Sequence, residues 1–118
     1  MMISAYSSAL TALQAFGTKV QSGANNIANA NTDGFRKTRV TMAEQQPQGV
    51  RATVDQVNTP GASVFQETSG GPDLVELSNV EMSSEIPEMS LSSQFYKANL
   101  KTIETVNDMT GTLLDIQS

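Results

Sequence analysis

The stretch ISAYSSALTALQAFGTKVQSGANNI, residues 3–27, decides the fold. Its larger apolar residues fall at Ile3, Tyr6, Leu10, Leu13, Val20 and Ile27, and the same three-four series passes through Gly17 and Ala24. That spacing predicts one stripe of an amphipathic helix about 25 residues long. Beside it runs a stripe of small residues, Ala5, Ala9 and Ala12, over which another backbone can come close. Two readings fit the pattern. It is the core face of a helix in a bundle, or a coiled-coil seam, since the seven-residue repeat holds over more than three heptads. Gly17 and Gly23 each cost roughly 1 kcal/mol relative to Ala in a helix interior. In isolation the segment is therefore expected to fray, and to be stabilised mainly by packing on something else.

The far end mirrors this pattern. Phe95, Asn99, Thr102, Val106, Met109, Leu113 and Ile116 follow the same spacing, with Leu91, Leu100, Ile103 and Leu114 widening the face. A second amphipathic helix of about 30 residues follows from that series. Asn99 falls on its apolar stripe, where the amide either is satisfied by neighbouring backbone or fixes register against a partner helix. Ser78-Asn79-Val80-Glu81 has the form of a capping box. A helix starting there would contain Pro87, which removes a backbone donor, so regular turns are expected from Pro87 onward.

Between the helices the period changes. TRVTMAE (38–44) alternates Val40 and Met42 with polar residues, GVRATVDQV (49–57) alternates Val50, Ala52 and Val54, and QQPQG joins them with turn chemistry. This predicts one β-hairpin. NTPGASVFQETSGGPD (58–73) reads as a polar loop, and the run Leu74–Leu77 can add a short strand. The expected organisation is 1–36 as helix and Asn-rich turn, 37–78 as hairpin and loop, and 79–118 as the second helix. The fold class is α+β: long N- and C-terminal α-helices forming a coiled-coil-like pair or bundle, with a small β-hairpin and loop region in the middle.

Composition narrows the function. The 118 residues are 38% hydrophobic, with six aromatics and no Trp, which argues against a large core. A net charge of -5 disfavours nucleic acid as a partner. The basic cluster Arg36, Lys37 and Arg39 reads as a solvated face. Cysteine and histidine are both absent, which removes disulfides, thiolate or imidazole metal sites and the usual nucleophile machinery. The twelve acids are scattered, and Glu81, Glu85 and Glu88 fall on an expected solvated helix start. The chain is therefore not expected to be an enzyme, and no catalytic, cofactor-binding or metal residue, cofactor or small-molecule substrate is assigned. The first basic residue is Lys19 and no run of 18 apolar residues exists, so neither a cleaved signal peptide nor membrane insertion is expected.

Residues 22–35, SGANNIANANTDGF, hold four asparagines and Asp33. A metal site would have Asp33 as its lone carboxylate, and no Asn-x-Ser/Thr acceptor occurs in the stretch. Helix exit and interface remain. Asn25 and Asn26 lie on helical turns, as candidate contacts to a neighbouring subunit. Asn29, Thr32, Gly34 and Phe35 form the turn that ends the helix, with Gly34 supplying a positive φ.

The segment from Ser8 to Val40 resembles the N-terminal signature of the flagellar rod, hook and basal-body axial protein family. The matching positions are Asn25, Asn26, Ile27, Ala28, Asn29, Thr32, Gly34 and Phe35. Residues 77–116 resemble that family's closing helix, with Asn79-Val80 before it, Tyr96 and Asn99 within it and Leu113-Leu114-x-Ile116 at its end. The short middle is most similar to the proximal C-type rod protein. Pro87 and Ser92 depart from the family's unbroken helix, and the middle is shorter than is typical. The resemblance implies a structural subunit exported by the flagellar type III apparatus without signal-peptide cleavage. It would polymerise in the periplasm into the axial shaft between membrane ring and hook, and be needed for motility. Its partners would be copies of itself, other rod subunits and the export apparatus. The implied subunit interface is Ile3, Tyr6, Leu10, Leu13, Val20, Asn25, Asn26, Ile27, Phe95, Asn99, Val106, Met109, Leu113 and Ile116. The alternative is a secreted helical adaptor, or a rod-like paralogue that binds axial or export components without forming the rod.

Overall fold

A computed structural model describes residues 2–46 and 48–117, without the side chains at 2, 3 and 115–117. Chain order is α1 (Met2–Ala28), β1 (Thr38–Glu44), β2 (Val50–Gln56), β3 (Ser63–Thr68), β4 (Gly71–Glu76) and α2 (Met82–Gln117). The class is α+β. The molecule is itself rod-shaped, with extents of 80 × 24 × 19 Å.

The two helices run antiparallel. Phe16 stacks on Phe95 with ring centroids 5.2 Å apart. Gly17 lies beside Tyr96, Gly23 beside Met89, and Asn26 beside Glu85. The glycines that weaken α1 therefore stand where α2 approaches. At 1.5 Å per residue α1 is about 40 Å long and α2 about 54 Å. The extra length of α2 extends past the start of α1, because position 2 already falls opposite the region near Met109 in this register.

α2 starts earlier than its proline suggests. Ser84 N and Glu85 N both donate to Glu81 O, at 3.0 Å each, so the first turn closes on Glu81. Ser78 Oγ accepts from Val80 N at 3.2 Å and so does not cap that turn. Pro87 lies inside the helix. It removes one backbone donor from the helix, and Pro87 and Ser83 are both exposed.

The first hairpin pairs β1 with β2 from Thr38↔Gln56 to Glu44↔Val50. Thr38, Val40 and Met42 alternate half-buried with exposed neighbours, and so do Val50 and Ala52, whereas Val54 is exposed. This hairpin lies along α1. Thr11 Oγ1 donates to Ser8 O at 2.8 Å and accepts from Val50 N at 3.1 Å, which ties the hairpin's turn end to the helix. Pro47 of the expected QQPQG turn is outside the described residues. Part of the stretch read as a loop, 58–73, is instead a second hairpin. There β3 pairs with β4 from Ser63↔Glu76 to Thr68↔Gly71. Val64 and Phe65 are adjacent rather than alternating with polar residues, so the period-2 signal was missing.

The apolar core is thin. Ala9, Ala12 and Ala15 are the buried hydrophobic residues among those described. They lie on the small-residue face of α1, the helix that packs on both α2 and the first hairpin. Burial contributes about 0.8 kcal/mol per methylene-sized group, whereas ordering each backbone residue costs about 1–2 kcal/mol. Three alanines supply little of that.

Candidate assembly interface

Polar side chains hold the junction between helices and strands. Asn26, in the last turn of α1, is 1% exposed. Its Nδ2 donates to Thr38 O at 2.9 Å and lies 3.4 Å from Glu85 Oε2, and its Oδ1 accepts from Thr38 N at 3.1 Å. One amide thus pairs with the start of β1 as a neighbouring strand would, and reaches α2 as well. Ser22 Oγ also bonds the Thr38 hydroxyl. Glu85 and Ser92 are the other buried polar side chains among the described residues.

Asn79 performs the same service before α2. Its backbone N donates to Phe35 O at 3.2 Å, and its Oδ1 accepts from Lys37 N at 2.7 Å. Its Nδ2 donates to Val57 O at 3.0 Å and Thr59 O at 2.8 Å. Three loops converge on this amide. Arg36 adds a bond from Nη1 to Asn58 O at 2.8 Å, and its Nε lies 3.4 Å from Glu76 Oε1. That approach is an ion pair without hydrogen-bond alignment, and Glu76 Oε1 has no hydrogen-bond partner. Partly exposed pairs of this kind contribute little.

The Asn-rich turn closes α1. Asn29 Nδ2 donates to Asn25 O at 2.9 Å, and Thr32 Oγ1 donates to Asn29 Oδ1 at 3.1 Å. Gly34 has φ 74°, in the left-handed region. Its N donates to Glu76 O at 2.8 Å, while Phe35 is half-buried with its N bonded to Thr32 O at 3.2 Å. The turn therefore also fixes the end of β4.

The large apolar residues are placed differently. Tyr6 and Leu10 on α1, and Phe95, Met109 and Leu113 on α2, are exposed. Leu13, Val20, Ile27 and Val106 are half-buried. Asn99 is half-buried on the α2 stripe, and its Nδ2 bonds Phe95 O at 2.8 Å within its own helix. Asn25 is exposed on the last turns of α1. The side chains of Ile3 and Ile116 lie outside the described residues. Leu91, Leu100 and Leu114 extend the exposed apolar surface of α2.

One expected interface residue is corrected. Asn26 does not face a neighbour, because its amide is spent inside the chain on Thr38 and Glu85. Nor is Glu85 on a solvated helix start; it is buried against that amide. The junction roles of Thr38, Asn79 and Arg36 were missed. Asn79 carried a signal, since an asparagine between Ser78 and Val80, outside a regular element, tends to bond nearby backbone with its amide. Among the described residues no group of three or more His, Cys, Asp or Glu is arranged to hold a metal ion. No described helix is long and apolar enough to cross a membrane.

Residues 7–36 match the family described as flagella basal body rod protein. Residues 73–116 match the family described as flagellar basal body rod FlgEFG protein C-terminal. The two spans together cover well over half of the chain, and they contain Asn26, Asn79 and Glu85 and most of both apolar stripes. No curated protein matches the chain significantly.

Proposed function

Because this chain belongs to the flagellar basal body rod protein family, as a structural component of the rod in the basal body, we propose that it polymerises through its two terminal helices. The product is the axial shaft between membrane ring and hook, and the chain is needed for motility. The observation that carries this reading is the placement of apolar residues. Tyr6, Leu10, Phe95, Met109 and Leu113 are exposed along an elongated molecule whose buried apolar residues, among those described, are three alanines. Apolar surface set along both helices is what neighbouring rod subunits, copies of this chain among them, would cover. Folding and assembly are then coupled, because order in the long helices is completed by burial against neighbours. Export through the flagellar type III apparatus, without signal-peptide cleavage, belongs to the same reading.

The short middle region supports a proximal, C-type place in the rod, although the C-terminal match carries the FlgEFG description. The second reading, a helical adaptor or paralogue outside the rod, has one observation in its favour. α1 and α2 pair within one chain, as such a module requires. Removal of the gene separates the two readings. Basal bodies that stop at the membrane ring are the expected result; a complete rod and hook in that strain would overturn the structural role.

A further inference from the structure

The hairpin β3–β4 is held firmly at its root and covered by nothing along its length. Gly34 N and Leu77 N bond Glu76 O and Ala62 O, both at 2.8 Å. A side chain at Gly61 would run into the carbonyl oxygens of Leu77 and Ser78, so the strand leading into β3 lies hard against the strand leaving β4. Beyond that root neither helix nor the first hairpin packs on β3 or β4. Phe65 and Leu74 are partners across the register and are 78% and 57% exposed. An isolated two-stranded hairpin is marginal in water, and a projecting apolar pair on one marks a docking element.

Charge identifies the partner. Residues 52–96 contain no Lys or Arg, and the hairpin carries Glu67 and Asp73, both exposed, besides the Glu76 that faces Arg36. The same chain has a surface of opposite character on the first hairpin. Arg39 and Arg51 are exposed there, neither forms an ion pair among the described residues, and they outnumber the one acid on that face, Asp55, which stands opposite Arg39 in the register. Next to Arg39 a cleft of about 370 Å³ is also lined by Lys19 and Lys37. Glu85 and Glu88 line it too, but Glu85 is engaged by Asn26.

We infer that β3–β4 of one copy docks on the basic β1–β2 face and cleft of a second copy. Phe65 and Leu74 are the apolar anchor, and Glu67 and Asp73 pair with Arg39 and Arg51. Donor and receiver surfaces differ, so the contact is heterologous, and repeated without closure it propagates a helix of subunits. Twelve strand residues cover less than the roughly 800 Å² per partner of a stable interface. The hairpin therefore sets the spacing of copies that the helices hold together, and the inference rests on the self-assembly reading above.

The chain has no cysteine, which makes disulfide trapping in the full-length protein clean. Thr68→Cys, at the hairpin tip, and Thr41→Cys, on the exposed face of β1, are mixed as separate proteins and oxidised. The expected product is the mixed 68–41 dimer, in excess of both homodimers. Its yield falls on the order of tenfold when Phe65→Ser is added to the tip variant, as loss of an aromatic anchor predicts. Glu67→Lys with Asp73→Lys in the tip protein also lowers it, and Arg39→Glu with Arg51→Glu in the receiver restores it. Statistical cross-linking, or no response to these changes, overturns the inference. Sedimentation of Phe65→Ser and of Leu10→Ser decides what else fails. A Phe65→Ser protein that assembles while its 68–41 trapping stays at the parent level sinks the hairpin contact and leaves helix-driven assembly standing, whereas assembly unchanged in Leu10→Ser sinks the self-assembly reading itself.

Discussion

Asn26→Ala removes an amide whose two ends meet Thr38 N, Thr38 O and Glu85. The stranded buried groups carry a cost of about 1–3 kcal/mol. The expected outcome is a lower denaturant midpoint for the monomer, measured by circular dichroism at a concentration below that of assembly. An unchanged midpoint would mean that the junction contributes no stability. The asparagine cluster was legible as a helix exit, because Gly34 and Thr32 spell a turn in any context. It was not legible as a junction. A buried amide and a solvent-facing one look alike in sequence, and only the strand delivered to Asn26 by the turn, starting at Thr38, distinguishes them.

At the level of elements the two helices could be read from their three-four spacing, and the first hairpin from its alternation around Val40, Met42 and Ala52. The second hairpin could not, since its apolar residues serve no core and so show no burial period. The start of α2 was hidden by Pro87, which costs a helix interior about 3 kcal/mol yet lies within one that is continuous for 36 residues. The heptad stripes identified amphipathic helices but not which face the chain itself covers. Ala9, Ala12 and Ala15 take the intramolecular face and leave Tyr6 and Leu10 outside. Tyr6→Ser with Leu10→Ser should therefore leave monomer helicity within a few per cent of the parent, in line with the small effect of surface substitutions. The same pair should abolish sedimentation of larger species. A variant that unfolds instead would place these residues in the core.

The whole molecule is an elongated scaffold with polar clamps at the helix–strand junction and apolar surface along its shaft. Two amides, Asn26 and Asn79, do in this chain much of what a large core does in a globular one: they fix how helices and hairpins are joined. The apolar residues are thereby left exposed, and in the proposed assembly a subunit whose buried apolar residues, among those described, are three alanines would gain further burial by joining an array. The most direct test of that account is site-specific photo-crosslinking in assembled basal bodies. Tyr6 is replaced by p-benzoyl-phenylalanine, a change that its exposure accommodates. After irradiation the attached peptide is identified by mass spectrometry. The account predicts attachment to a terminal helix of another rod subunit; attachment confined to the chain's own peptides, or absence of the chain from purified basal bodies, would contradict it.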